Sequence, residues 1–162
     1  FVELLRGTIA VTSTLGEGSE FSFALPLRFS PMTVATPVIP PGEHVLVVED
    51  EDDTFATLAS HLQSAGYMPV RARSGEEALR LARSSHPRAI TLDLVLPGIE
   101  GWQVLRDLKA DAATAAIPVI VISILQNREL ALAFGADDYF AKPVDWPRLM
   151  RRLAELTVAS TV

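Results

Sequence analysis

Between Val45 and Ala141 the sequence alternates five times between a short strand-like segment and a longer amphipathic segment. The strand-like segments are residues 45–48, 68–72, 89–92, 119–122 and 139–141, of which 45–48 is a continuous apolar run. A continuous apolar run suits a strand buried on both faces, the condition of a parallel sheet covered by helices. The segments between them carry helix signals. Residues 54–65 place Phe55, Leu58, Ala59 and Leu62 on one face and end before Gly66. Ser74 can cap a helix containing Ala78, Leu79 and Leu81, with Glu77 three residues on to close a capping box. Trp102, Leu105 and Leu108 are in helical phase over 102–108, and a short helix over 128–134 stops at Gly135. Asp145 caps a last helix whose first turn tolerates Pro147. Five such units predict an α/β fold, a doubly wound (βα)5 parallel sheet.

The residues before this array read differently. Residues 1–6 suggest a helix end, and 8–13 and 20–25 suggest two strands. Leu15-Gly16-Glu17-Gly18-Ser19 supplies the glycines of a hairpin turn. Phe21, Phe23 and Leu25 alternate with small or polar residues, so one face seeks cover. A lone hairpin is marginal in water, so residues 1–29 look like the closing edge of a domain whose body lies elsewhere. Residues 30–42 hold Pro31, Pro37, Pro40 and Pro41 and read as a semi-extended linker. The strand-helix array then occupies 43–158. Because the first residue is Phe1, the chain is expected to be part of something longer.

Composition narrows the function classes. The formal net charge is -6, which argues against nucleic-acid binding by this chain. There is no cysteine, hence no disulfide framework and no thiolate metal site, a pattern that fits the cytoplasm. The longest apolar run, near residues 117–125, is interrupted by Pro118 and Ser123 and falls far short of the ~20 residues a membrane helix needs. A membrane anchor elsewhere in a longer parent is compatible with this.

The chemistry gathers at strand ends. Ligands of open α/β sheets bind at the carboxyl ends of strands near the switch point. The first strand ends in Glu49-Asp50-Glu51 and the third in Asp93. In a doubly wound sheet these strands are neighbours, so Glu49, Asp50 and Asp93 should converge. Converging carboxylates repel unless a cation intervenes, and an oxygen-only set suits Mg2+. Ser123 ends the fourth strand and Lys142 the fifth. A hydroxyl and an ammonium facing carboxylates and Mg2+ are what phosphoryl transfer requires, because its transition state spreads negative charge over oxygens. An X-Pro bond at Lys142-Pro143 can be cis at modest cost and could turn the lysine inward.

Val47-Val48-Glu49-Asp50-Glu51, Leu92-Asp93-Leu94-Val95-Leu96-Pro97-Gly98, Ile120-Val121-Ile122-Ser123 and Gly135-Ala136-Asp137-Asp138-Tyr139-Phe140-Ala141-Lys142-Pro143 resemble the signature blocks of response-regulator receiver domains. The resemblance implies a flavodoxin-like sheet of order 2-1-3-4-5. It also implies that Asp93 accepts a phosphoryl group from a phosphohistidine. Asp50, Asp93 and the Val95 backbone carbonyl would ligate Mg2+ (or Mn2+), Glu49 would act through a bound water, and Ser123 and Lys142 would hold phosphoryl oxygens. Tyr139 matches the aromatic switch residue, which turns inward as Ser123 moves. The implied partners are the phosphohistidine domain of a histidine kinase, in cis or in trans, and a histidine phosphotransfer protein. Two departures stand out. Glu49 occupies a position usually held by Asp. The segment from Ser123 to Lys142 is shorter than usual, with Ile124 where a small residue is common.

Gly7-Thr8-Ile9-Ala10-Val11-Thr12-Ser13 through Gly16-Glu17-Gly18-Ser19-Glu20-Phe21-Ser22-Phe23-Ala24-Leu25-Pro26 resembles the C-terminal end of a histidine-kinase ATP-binding domain. The ATP-binding body is not in this sequence, and His44, His61 and His86 sit in no phosphoacceptor context. Kinase end, linker, receiver is the order of a hybrid sensor histidine kinase, in which this chain would be a phosphoacceptor without the kinase core. The alternatives are a stand-alone response regulator and, from other classes, a flavodoxin-like cofactor binder or an aspartyl phosphohydrolase. Flavin phosphate wants a neutral loop after the first strand, which Glu49-Asp50-Glu51 is not. The hydrolase usually wants a second acid where Val95 stands.

Overall fold

The computed structural model describes residues 8–14, 18–24, 44–97 and 100–159. The chain divides into two compact units, residues 1–38 and 39–162. In the first, β1 (Thr8–Thr14) and β2 (Gly18–Ala24) pair antiparallel, with Thr8 opposite Ala24 and Thr14 opposite Gly18. This is the predicted hairpin, and Gly18 adopts a φ of +106°, which glycine reaches without a Cβ penalty. The predicted helix end at 1–6, the turn residues Leu15, Gly16 and Glu17, the end of the second strand at Leu25, and the linker at 30–42 lie outside the described residues.

The second unit contains β3 (His44–Val48), α1 (Asp52–Ser64), β4 (Met68–Ala72), α2 (Gly75–Ser85), β5 (Ala89–Leu92), α3 (Gly101–Ala110), β6 (Val119–Ser123), α4 (Arg128–Ala133), β7 (Asp138–Ala141) and α5 (Trp146–Ala159). The strands are parallel in the order β4-β3-β5-β6-β7, which is 2-1-3-4-5 when counted within this unit. The fold is thus the doubly wound sheet expected from the alternation of segments, with the flavodoxin-like strand order that the resemblance implies. Boundaries agree with the sequence reading to within two residues; α1 begins two residues earlier, at Asp52, because acids are favoured in a first turn.

Alternating side chains of each strand feed two separate cores. Leu46, Val48, Ile90, Leu92, Val119 and Val121 pack with α2, α3 and α4. Val45, Val47, Ala89, Ile120, Ile122 and Phe140 pack with Leu58 and Leu62 of α1 and with Leu149 and Leu153 of α5. Each fully buried Leu or Ile contributes about 1.5–3 kcal/mol relative to exposure, so the apolar alternation that sets the strands also fixes which helices cover which face.

Local signals act as expected, with one shift. The Ser74 Oγ accepts from the Glu77 N–H at 3.3 Å, which caps α2. The return bond goes one residue earlier than a capping box predicts: the Glu77 carboxylate accepts from the Arg73 N–H at 2.8 Å. Asp145 accepts from the Arg148 N–H at 3.1 Å at the start of α5. The histidines are structural. His44 is buried with Nε2 2.9 Å from the Ser85 hydroxyl, His61 stacks on Trp146, and His86 ends α2 in the left-handed region. No helix among the described residues is long and apolar enough to cross a membrane.

Candidate functional site

Strand register brings two of the predicted acids side by side. Val48 pairs with Leu92 across β3 and β5, and the Asp93 N–H donates to the Val48 carbonyl at 3.0 Å. Glu49 and Asp93 therefore leave the sheet next to each other. Both are buried, 4% and 7% exposed. On the far side, Ser123 pairs with Ala141, and the Lys142 N–H donates to the Ser123 carbonyl at 3.0 Å. The Lys142–Pro143 peptide is cis.

Lys142 closes the site. Its Nζ donates to Asp93 Oδ2 at 2.6 Å and to Glu49 Oε2 at 2.9 Å. Burial alone would push the ammonium pKa down. The bonds to Asp93 and Glu49 together outweigh that and hold it above the ordinary lysine value. The lysine is thus charged across the physiological range, because an ammonium with two carboxylate acceptors gains more than it loses by desolvation. The second Asp93 oxygen, Oδ1, accepts from the Val95 N–H at 2.9 Å, which fixes the carboxylate plane. Glu49 Oε1 accepts from the Glu51 N–H at 3.2 Å.

Ser123 and Tyr139, expected from the sequence to act as a switch, lie on the neighbouring strands β6 and β7. Ser123 is fully buried, and its Oγ accepts from the Leu125 N–H at 3.3 Å. Tyr139 is turned inward, 5% exposed, and its hydroxyl donates to the Ser123 carbonyl at 3.4 Å. Burial raises the phenol pKa above its usual value. A nearby Asn127 backbone N–H opposes that shift and the Asp93 charge adds to it. Behind Tyr139, Asp138 is buried between Arg128 of α4 and Arg152 of α5, at 2.9 and 3.2 Å. Arg128 also donates to the Tyr139 carbonyl at 2.8 Å. Ile124 is 64% exposed, and α4 is only six residues long, with Leu130 and Leu132 exposed.

Not every predicted residue joins the cluster. Asp50 is exposed at the rim, whereas Glu49 and Asp93 are buried together. Its place in the sequence fixes its nearness to the site but not its direction, since it follows the last ladder bond of β3. Among the described residues, no three Asp, Glu, His or Cys side chains are grouped closely enough to hold an ion by themselves. Glu49, expected to act through a bound water, is paired with Lys142. The donor set still fits a hard cation that keeps several waters: two buried carboxylates share one ammonium, and a third acid stands at the rim.

Several residues around the site carried no signal in the sequence. An open cavity of about 330 Å3 lies beside Asp93, lined by Thr54, Leu58, Thr91, Ile122 and Trp146 together with the charged residues. Arg71 of β4 donates to the Glu49 and Asp50 carbonyls at 2.9 and 2.8 Å. Gly101 of α3 presses against the backbone that follows Asp93: a Cβ there would lie 2.4 Å from Leu94 Cα. The glycine could have been suspected from its place at a helix start, but the arginine depends on strand pairing.

Comparison with known proteins agrees with this geometry. The family described as response regulator receiver domain matches residues 45–154. Protein PilH of Pseudomonas aeruginosa is 34% identical over 113 residues, covering 67% of this chain and 93% of that protein. The receiver domain of the sensor histidine kinase PA1611 from Pseudomonas aeruginosa PAO1, solved with a magnesium ion coordinated in its active site cleft, is 31% identical. It superposes with a TM-score of 0.66 over 72% of this chain and 98% of that one. The signal receiver domain of a signal transduction histidine kinase from Syntrophus aciditrophicus is 29% identical, with a TM-score of 0.68 over 74% and 93%.

Proposed function

The chain belongs to the response regulator receiver domain family, and from that membership we propose that Asp93 accepts a phosphoryl group from a phosphohistidine. The observation that carries this reading is the Asp93 carboxylate itself. It is buried at a strand end, held by the Val95 N–H on one oxygen and by the Lys142 ammonium on the other. A carboxylate fixed in this way is positioned to attack phosphorus, and positioning is most of what phosphoryl transfer asks of a protein. The P–N bond to histidine breaks as a P–O bond to Asp93 forms, and the departing imidazole takes up a proton. Lys142 and Ser123 then face the incoming oxygens. Glu49, Asp50, Asp93 and the Val95 carbonyl would hold Mg2+, with Mn2+ able to substitute through the same oxygen ligands. That cation would neutralise charge on the transferring group.

Tyr139 and Ser123 form the proposed switch. The Tyr139 hydroxyl on the Ser123 carbonyl links the phosphoryl-facing strand end to β7, and Arg128 extends the link to α4. The phosphodonor would be a histidine kinase domain or a histidine phosphotransfer protein, and the site would work in the cytoplasm.

We further infer a hybrid histidine kinase as the parent. The β1–β2 hairpin would be the closing edge of the ATP-binding domain over residues 1–29, joined by the 30–42 linker to the receiver at 43–158. The sequence of the hairpin favours it, and so do two similar solved structures that are receiver domains of histidine kinases. A stand-alone regulator is the second reading, favoured by Protein PilH, 93% of which is spanned by the match.

The test is direct. The purified chain, given Mg2+ and acetyl phosphate, is expected to gain one acid-stable, base-labile phosphoryl group by intact mass. Asp93→Asn is expected to gain none. Equal labelling of the two proteins would overturn the reading.

A further inference from the structure

β4 is an edge strand, yet the Arg71 side chain on it is only 13% exposed. Its guanidinium turns away from solvent toward the loop that follows β3. Nε donates to the Glu49 carbonyl at 2.9 Å, Nη2 to the Asp50 carbonyl at 2.8 Å, and Nη1 to the Asp52 carboxylate. The group also lies 4.7 Å above the Phe55 ring, which fixes its plane. The last ladder bond between the two strands runs from the Glu49 N–H to the Ala72 carbonyl. Past that point the ladder ends, and the planar fork of one arginine takes two successive carbonyls in its place.

We propose that Arg71 is a positioning residue that pre-forms the acidic loop for a divalent cation. The proposal rests on the receiver-site reading of Glu49, Asp50 and Asp93. Among the described contacts, the Arg71 side chain bonds to none of the Glu49, Asp50 and Asp93 carboxylates. It holds the backbone from which the Glu49 and Asp50 side chains depart, and so sets their direction. Groups that orient ligands from behind commonly change metal affinity by about 10–100-fold when removed.

Charge and geometry predict opposite signs here, which makes the proposal decidable. A guanidinium near the acids repels a divalent cation, so a purely electrostatic role predicts tighter binding once the charge is gone. A positioning role predicts weaker binding. Arg73 supplies the control: it donates to the same Asp52 carboxylate at 2.7 Å, and its side chain has no bond to the loop carbonyls among the described contacts.

The experiment titrates Mg2+ into the full chain and into Arg71→Gln, Arg71→Lys and Arg73→Gln, following intrinsic fluorescence. Trp146 lines the same cavity as Glu49, Asp93 and Lys142 and serves as reporter. Amide hydrogen exchange of residues 50–52 is measured in metal-free protein, with melting curves to show that each variant is folded. Arg71→Gln is expected to bind Mg2+ about tenfold or more weakly and to exchange its loop amides faster. Arg71→Lys, which keeps the charge and can reach one carbonyl, should fall between. Arg73→Gln should bind as tightly as wild type or slightly tighter. Arg71→Gln that binds Mg2+ as well as Arg73→Gln, or loop amides that exchange at the wild-type rate, would overturn the proposal. Wild-type protein that binds no Mg2+ would sink the site reading instead, and the metal-free exchange comparison would still decide whether Arg71 orders the loop.

Discussion

Replacing Gly101 with alanine sets two physical effects against each other. Gly101 is the first residue of α3, where alanine normally stabilises a helix by up to about 1 kcal/mol. The structure gives the opposite sign. An added Cβ would lie 2.4 Å from Leu94 Cα and 2.7 Å from the Asp93 carbonyl oxygen. Both atoms belong to the backbone, so no rotamer change relieves the contact. Leu94 is itself 4% exposed and packed in the core, so either α3 or the loop after β5 must move. Overpacking of this kind costs about 1–3 kcal/mol, occasionally more, and a backbone obstacle places it in the upper part of that range. Net of propensity, the variant should lose about 1–2 kcal/mol. For a domain of this size that lowers Tm by roughly 3–12 °C. The displaced backbone is that of Asp93, so phosphoryl labelling should slow as well. Thermal unfolding by circular dichroism and labelling with acetyl phosphate check the two halves. A variant that melts at or above wild type would refute the reasoning, because helix propensity would then outweigh the clash with the Leu94 backbone.

Two other outcomes follow from the site. Lys142→Met leaves Glu49 and Asp93 buried with no counter-charge. Metal-free protein should lose about 3 kcal/mol in urea unfolding, and saturating Mg2+ should narrow the gap; a loss that is the same in EDTA and in Mg2+ would show that the carboxylates do not share the cation's field. Because the Tyr139 pKa is raised, mainly by burial, its contribution to stability is complete below the unfolded value near 10 and is lost as pH rises through the folded value. Wild type should therefore lose more stability than Tyr139→Phe between pH 9 and 11, and parallel pH profiles would contradict the inward placement.

The sequence alone determined the architecture because its information is local and periodic. A continuous apolar run such as residues 45–48 suits an interior parallel strand, and the amphipathic segments between such runs suit the helices that cover it. The strand-end positions of Asp93, Ser123 and Lys142 followed from the same periodicity, and Ser74 and Asp145 announced their helices by capping chemistry. What the tertiary structure decided depends on pairing between distant segments. Direction is one such property: Glu49 turns inward to Lys142, while Asp50, the next residue, is left exposed at the rim. The clamp from Arg71 is another, because it requires β4 to lie beside β3 with Arg71 next to Val47. The need for glycine at 101 is a third, set by how closely α3 approaches the backbone of Leu94. A single sequence states which residue types lie at strand ends; only the register and the packing of helices on the sheet determine which of them meet.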